Sequence, residues 1–331
     1  MLFACYTSAS SELMFLVSHW RVDALGVLML LDRLFALLSS SPDVQSIVWR
    51  NDVAQISPSL EDAGASVGTG PEMEKYAQDF IAHHHQVALN TGGLPYRGDE
   101  KTPRTIPHST ASTTALIDAC KKRHISVTAA VHAALANTVF SLDPVKGRPQ
   151  YAAVMSVNIR PYLPAPYHTK SHACQTYVAG MTPAVDREST FAEKTQTLTE
   201  FYRNAYSNKF MQALRLISGT HVKTLFAPRL AVDPEVPPQA TQQRFSQQSG
   251  YHRKATCSTG VKIKITNFKF GVTMMTRQLL LYLWTFKGQL NLSVNYNDAY
   301  HDTASADDFL ARICQVREQE LGLELVHGHQ C

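Results

Sequence analysis

A change of hydrophobic period near the start of the chain constrains the fold most. Residues 13–17 form a short apolar run of strand length, and over residues 26–38 the apolar side chains recur at helical spacing. The pentapeptide between them, residues 19–23, has the form H-x-x-x-D. The chain therefore begins with a strand, a turn that carries a histidine, and an amphipathic helix.

The rest of the chain alternates between helical and extended patterns. Helices are predicted over 71–89, 112–124, 126–140, 189–225 and 304–323, with Ser112 or Thr113 and Ser126 or Thr128 as caps. Strands are predicted over 105–110, 151–160, 172–181 and 261–266, and a hairpin around Lys287 and Gly288. Residues 231–256 indicate a long polar connection. This mixture predicts an α/β fold of mixed α+β type with antiparallel pairing.

Composition excludes several classes of partner. The 331 residues are 44% hydrophobic and 18% charged, which is typical of a globular chain long enough for two domains. The net charge of +4 comes from scattered basic residues, so no nucleic acid is expected as a partner. No run approaches the roughly 18 apolar residues of a membrane span. Six cysteines without a C-x-x-C pair fit a reducing compartment, so we expect a cytoplasmic protein without a metal site or a membrane partner.

The H-x-x-x-D pentapeptide is the strongest candidate for chemistry. A histidine that follows a strand of buried type can be held rigidly at the edge of a core and act as a general base. On the pentapeptide alone, a histidine satisfied by a backbone carbonyl is the simpler interpretation. A nucleophile at Ser18 is disfavoured, because adjacent side chains of an extended segment point to opposite faces and Ser18 does not lie in a G-x-S-x-G segment.

Four segments, in order along the chain, resemble one known superfamily. The segment LMFLVSHWRVDALGVLMLLDRLFALL is similar to the H-x-x-x-D-G region of chloramphenicol-acetyltransferase-like proteins, which include BAHD acyltransferases and peptide-synthetase condensation domains. The later similar segments are ISVTAAVHAALA, AAVMSVNIRPYLP and ITNFKFGVTMMTRQLLLYLWTFKGQLNLSVNYNDAYHD, followed by the terminal helix. Within the superfamily the likeness is greatest to fungal trichothecene 15-O-acetyltransferase-type proteins.

The resemblance implies an activity and a role for three residues. It implies transfer of an acyl group from acetyl-CoA or another acyl-CoA co-substrate to a hydroxyl of a small-molecule alcohol, with no permanently bound cofactor and no metal. His19 would remove the hydroxyl proton as the oxygen attacks the thioester. Asp23 would point away from the substrate and pair with Arg160, as structural support of the site.

The sequence departs from the superfamily pattern at three places. Ala24 replaces the usual glycine, which is tolerated where the backbone is right-handed. Residues 267–271, NFKFG, keep only the aromatic rhythm and the glycine of the plant D-F-G-W-G motif and are expected to be structural. Only 18 residues precede His19, so we expect a two-lobed fold with a truncated first lobe: residues 1–145 as the remnant of the N-terminal lobe and 146–331 as the C-terminal lobe. A complete protein would be a monomer, whereas a truncated lobe would expose apolar surface.

Other residues are candidates of a more general kind. Lys262 and Lys264 share one face of the predicted strand and are candidates for contacts with coenzyme A phosphates, against a solvated strand face. Tyr296 and Asn297 are candidates for the acceptor pocket, against packing at the end of the hairpin. His132 lies within an apolar helix and is expected to be a core or substrate-lining residue.

Three functions remain open at this level. The first is an O-acetyltransferase of fungal secondary metabolism, acting on a hydroxyl of a mycotoxin such as a trichothecene or a related terpenoid. The second is a non-catalytic truncated paralogue that binds a small molecule. The third is a condensation-type enzyme that takes its acyl group from a carrier protein. The sequence identifies neither the acceptor nor the acyl length.

Overall fold

The computed structural model describes residues 2–19, 21–40, 56–64, 68–88, 103–142, 149–204, 208–225, 245–249, 264–274 and 278–326. The helices in these ranges are α1 (Ala24–Ser40), α2 (Leu60–Ala63), α3 (Pro71–Ala88), α4 (Thr110–Lys122), α5 (Val127–Leu142), α6 (Phe191–Asn204), α7 (Asn208–Leu225) and α8 (Thr303–Leu321). The strands are β1 (Leu2–Thr7), β2 (Glu12–Val17), β3 (Arg104–Pro107), β4 (Gln150–Ala152), β5 (Met155–Asn158), β6 (Val178–Met181), β7 (Ala184–Asp186), β8 (Phe245–Ser249), β9 (Leu279–Phe286) and β10 (Gln289–Asn295).

The chain divides into two compact units, each assembled from separate stretches of sequence. The first unit comprises Met1–Ser66, Asn158–Ala179 and Lys254–Phe268, and the second comprises Val67–Val157, Gly180–Arg253 and Lys269–Cys331. The predicted division at residue 145 falls inside the second unit and stays a prediction.

The main sheet has six strands in the order β3-β10-β9-β8-β5-β6. Strands β3, β10 and β9 pair antiparallel, whereas β9, β8 and β5 pair parallel, so the sheet is mixed. Lys287 and Gly288 form the two-residue turn between β9 and β10, and their φ angles of 48° and 78° match the twist of the strands they join. The mixed fold class and this hairpin, both predicted from the sequence, are confirmed.

The core of the second unit lies on one face of this sheet. Leu290, Leu292 and Val294 alternate along β10 on the face that packs into the hydrophobic core. Every residue from Ala129 to Ala136 of α5 is fully buried, because its small alanine side chains let neighbouring elements approach closely. Helices α6 and α8 pack against α5 in the same core.

His132 is part of this core, as one of its two predicted alternatives states. Its Nδ1 lies within hydrogen-bond distance of the Tyr202 hydroxyl, and its ring meets Tyr151 edge-on. Burial lowers the pKa of His132 to about 3, so the ring is neutral in the folded protein.

The first unit begins with a two-stranded antiparallel hairpin of β1 and β2. The strand predicted over residues 13–17 is present, but its expected burial is wrong: Leu13, Met14 and Leu16 are exposed, as is Phe3 on β1. A two-stranded ribbon has no second layer of its own against which to bury a face. The apolar composition of β2 therefore did not indicate that this strand is exposed.

Local predictions differ from the structure at a few other places. Ser109, rather than Ser112 or Thr113, caps α4, and its Oγ accepts a hydrogen bond from the backbone N–H of Ser112 at 3.0 Å. The expected polar connection over 231–256 contains strand β8, and the predicted strand over 261–266 is absent from residues 264–266. No single helix in the described part of the chain is long and apolar enough to cross a membrane; one pair, α4 and α5, passes by length and composition but is bent by 93°.

Candidate active site

The residues with predicted roles meet in the first unit, around the loop that joins β2 to α1. The loop carries His19 and Asp23, Arg160 begins a short 3₁₀ turn just after β5, and residues 175–177 lead into β6. Arg160 and Asp23 are 137 residues apart in sequence, and the structure brings their side chains into contact.

Asp23 is buried and accepts hydrogen bonds on both carboxylate oxygens. Nη1 of Arg160 lies 2.9 Å from Oδ1 and 2.7 Å from Oδ2, and the side chains of both residues are only 2% exposed. The backbone N–H of Gly26 donates to Oδ1 at 2.7 Å, and that of Tyr177 donates to Oδ2 at 2.8 Å. With these donors the buried charge is fully compensated, which the low-dielectric interior requires.

The bond from Gly26 shows that Asp23 also caps helix α1. Its carboxylate accepts from the N–H of the third helical residue, and its negative charge lies at the positive end of the helix dipole. Ala24 starts the helix and is absent from the residues with positive φ, so its methyl group is accommodated, as the sequence predicted for a right-handed backbone. Asp23 thus fixes the loop both to helix α1 and to Arg160.

Arg160 connects the loop to the segment before β6. Its Nη2 donates to the carbonyl oxygen of Gln175 at 2.9 Å, and its Cζ lies 5.2 Å from the centroid of the Tyr177 ring. Burial raises the pKa of the Tyr177 hydroxyl, and the nearby guanidinium opposes part of that shift. The guanidinium therefore contacts the carboxylate, a carbonyl and an aromatic face at once.

Gly26 allows this packing to be close. A Cβ atom at this position would overlap the carbonyl oxygen of Ala173 and would lie 2.5 Å from Cγ2 of Val22. Any side chain would push the start of α1 away from the segment at Ala173. The close packing at the start of α1 therefore needs a glycine at Gly26, two residues after Ala24, and not at position 24.

His19 lies in the turn with its side chain exposed. Its Nδ1 is 3.3 Å from the carbonyl oxygen of Val22. Since a carbonyl can only accept, Nδ1 carries the proton of the neutral ring and Nε2 keeps its lone pair. The arrangement can present Nε2 as a base, although the exposed side chain differs from the histidine at the edge of a core that the sequence predicted.

Of the other predicted site residues, Tyr296 and Asn297 belong to the second unit and Lys264 to the first. Tyr296 continues the core face of β10, and its hydroxyl lies 3.0 Å from that of Thr303. Its role in the acceptor pocket stays a prediction. Asn297 is buried and its Oδ1 accepts from the N–H of Ala299. Lys264 is exposed in an irregular segment, and Lys262 lies outside the described residues.

Comparison with known proteins identifies the fold and the family. No family model matches the chain. The solved structure of the trichothecene 15-O-acetyltransferase TRI3 from Fusarium sporotrichioides matches with a TM-score of 0.69 and 17% identity, covering 90% of this chain and 64% of that one. The chain thus has the fold of TRI3, and the chloramphenicol-acetyltransferase-like fold predicted from the sequence is confirmed.

Two fungal sequences are much more similar. O-acetyltransferase pigM of Monascus ruber is 46% identical over 331 residues, covering 97% of this chain and 64% of pigM. Azaphilone biosynthesis cluster protein M of Aspergillus terreus is 44% identical over 329 residues, covering 97% of this chain and 79% of the relative. The chain belongs to the family of these fungal proteins, and it spans less than two thirds of the length of pigM.

Proposed function

We propose that the protein is an acyl-CoA-dependent O-acetyltransferase of fungal secondary metabolism, with His19 as its general base. Membership of the pigM family supports the reaction class, since that relative is named as an O-acetyltransferase. The observation that carries the role of His19 is the hydrogen bond from Nδ1 to the carbonyl of Val22, which in the neutral ring makes Nε2 the nitrogen without a proton.

The reaction needs no group beyond the two substrates and this base. Nε2 takes the proton of the acceptor hydroxyl as its oxygen bonds to the thioester carbonyl carbon of acetyl-CoA. The carbon–sulfur bond then breaks, the proton passes to the departing thiolate, and the products are an acetyl ester and free coenzyme A. Asp23 and Arg160 hold the loop that carries His19 and take no part in the proton transfer.

For the acceptor, we propose a hydroxyl of an azaphilone-type polyketide. The name of the Aspergillus terreus relative connects it with azaphilone biosynthesis, and that relative is 44% identical to this chain. TRI3, whose name specifies a trichothecene, is only 17% identical, so its likeness supports the fold and not the acceptor. A trichothecene therefore ranks second. The cytoplasmic location and the monomeric state remain predictions from the sequence.

The test is to incubate the purified chain with acetyl-CoA and matched panels of hydroxylated azaphilones and trichothecenes. Mass spectrometry would detect the acetyl ester, and a thiol reagent would detect free coenzyme A. We expect ester from the azaphilone panel with wild type and none above background with His19→Ala. Ester formed equally by both proteins would overturn the role of His19, and ester from the trichothecenes alone would overturn the acceptor class.

The exposure of His19 favours one alternative, a small-molecule binding module without catalysis. An exposed imidazole stays hydrated, so it lacks the water-excluded surroundings that strengthen interactions in an enzyme active site. Under this alternative, isothermal titration would show binding of the alcohol while no thiol is released from acetyl-CoA. Release that depends on a phosphopantetheinyl carrier would instead identify the condensation-type enzyme.

A further inference from the structure

Residues 175–177 run beside the H-x-x-x-D loop and contact it at His19. Their two ends bond to the buried ion pair described above. The middle residue, Thr176, donates from Oγ1 to the backbone carbonyl oxygen of His19 at 3.2 Å. Among the described residues, this bond and the bond between the His19 ring and Val22 are the side-chain hydrogen bonds at His19.

The bond to the carbonyl matters because His19 has little other support. Its side chain is exposed, and among the described residues of its turn one backbone bond closes the turn, from the N–H of Arg21 to the carbonyl of Ser18 at 3.0 Å. Fixing the carbonyl oxygen fixes ψ of His19, and with it the direction from which the ring approaches the carbonyl of Val22. Loss of the restraint would let the ring leave that partner, after which either nitrogen can carry the proton.

Thr176 is itself held in place by Gln175. The side-chain Oε1 of Gln175 accepts from the N–H of Thr176 at 2.9 Å. Its Nε2 donates to the carbonyl oxygens of Ser57 and Pro58 at 3.1 and 2.9 Å. Because the amide is bonded on both sides, the segment is fixed to the loop before α2, and Thr176 has a rigid base from which to hold His19.

We infer that Thr176 is a positioning residue for His19, which keeps the imidazole in the tautomer that presents Nε2 as the base. This inference rests on the proposed function for its kinetic consequence, but its structural part stands separately. Thr176 acts through His19 and is not assigned any contact with substrate. Removing one hydrogen bond that orients the base should slow the chemical step by about 3- to 10-fold.

The experiment compares Thr176→Val, which keeps the shape and removes the donor, with Thr176→Ser, which keeps the donor. Each is made in the wild-type and His19→Ala backgrounds. We expect Thr176→Val to lower kcat with KM for acetyl-CoA unchanged, Thr176→Ser to restore most of the rate, and neither to change the residual rate of His19→Ala. An unchanged kcat, or an equal loss in both backgrounds, would overturn the inference.

A second measurement does not depend on activity. Histidine ¹⁵N NMR reports which ring nitrogen carries the proton, and the His19→Ala spectrum assigns the His19 signals. We expect wild type and Thr176→Ser to show the Nδ1–H tautomer and Thr176→Val to shift towards Nε2–H. Identical spectra for all three would overturn the positioning role, even if the protein lacks transferase activity. A wild type without His19-dependent transfer but with the expected shift would refute the proposed function alone.

Discussion

Replacing Asp23 with alanine should destabilise the first unit severely, because it leaves a guanidinium buried without its partner. Arg160 is 2% exposed, and its Nη1 makes both of its hydrogen bonds with the Asp23 carboxylate. Breaking a buried pair in this way costs roughly 3–5 kcal/mol. The cap of α1 is lost as well, which on its own is worth about 1 kcal/mol. A total in this range is a large part of the 5–15 kcal/mol that stabilises typical domains.

Urea unfolding followed by circular dichroism measures this loss, with two controls. The pair of Arg104 and Asp307 is equally close, at 2.6 Å, but its side chains are about a third exposed, so Asp307→Ala should lose under about 1 kcal/mol. Combining Asp23→Ala with Arg160→Met removes the stranded charge and should be more stable than Asp23→Ala alone. A loss for Asp23→Ala no greater than that for Asp307→Ala, or a double variant that is the least stable of all, would show that the buried charge pair does not control stability.

Three further predictions concern packing, thiol reactivity and pH. Gly26→Ala should lower the free energy of unfolding by about 1–3 kcal/mol, because the added methyl group would overlap its neighbours. Gly219→Ala, in helix α7 with open space around the residue, should raise that free energy by about 0.5–1 kcal/mol. Equal urea midpoints for the two variants would contradict this. Burial raises the pKa of the Cys120 thiol to about 11, so iodoacetamide at pH 8 should label exposed Cys174 and spare Cys120 until the protein unfolds, as peptide mass spectrometry would show. Burial lowers the pKa of His132 to about 3, so between about pH 6.5 and 3 the unfolded state binds a proton that the folded state does not. Stability therefore falls as pH drops through that window, by roughly 1 kcal/mol per pH unit. Urea titrations in which His132→Gln keeps the wild-type dependence of stability on pH would show that another group is responsible.

Patterns local in sequence predicted the elements that local chemistry determines. The hairpin at Lys287 and Gly288 and the start of α1 follow from turn residues and hydrophobic period alone. Strand β8 has the sequence FSQQS, which carries no strand signal, and it is ordered by the parallel neighbours β5 and β9 on its two sides. Burial was harder to predict than secondary structure. The apolar run of β2 does not indicate that the strand's only partner among the described residues is β1.

The site divides in the same way. The contact of Asp23 with Arg160 spans 137 residues, and no local pattern contains it, so only the family resemblance brought the two together. The capping role of Asp23 was available from the sequence, since an aspartate directly before an apolar helical run is a start signal. Thr176 carried no signal, because a threonine in an extended stretch is common and its partner is a backbone carbonyl.

The ratio of kcat between wild type and His19→Ala measures the catalytic role of His19. Both proteins would be assayed for thiol release at saturating acetyl-CoA and acceptor, with urea unfolding measured in parallel. Because the side chain is exposed, the substitution should leave the unfolding midpoint unchanged. His19→Ala should have a rate lower by about 10²- to 10⁴-fold. Equal rates in two equally stable proteins would contradict it.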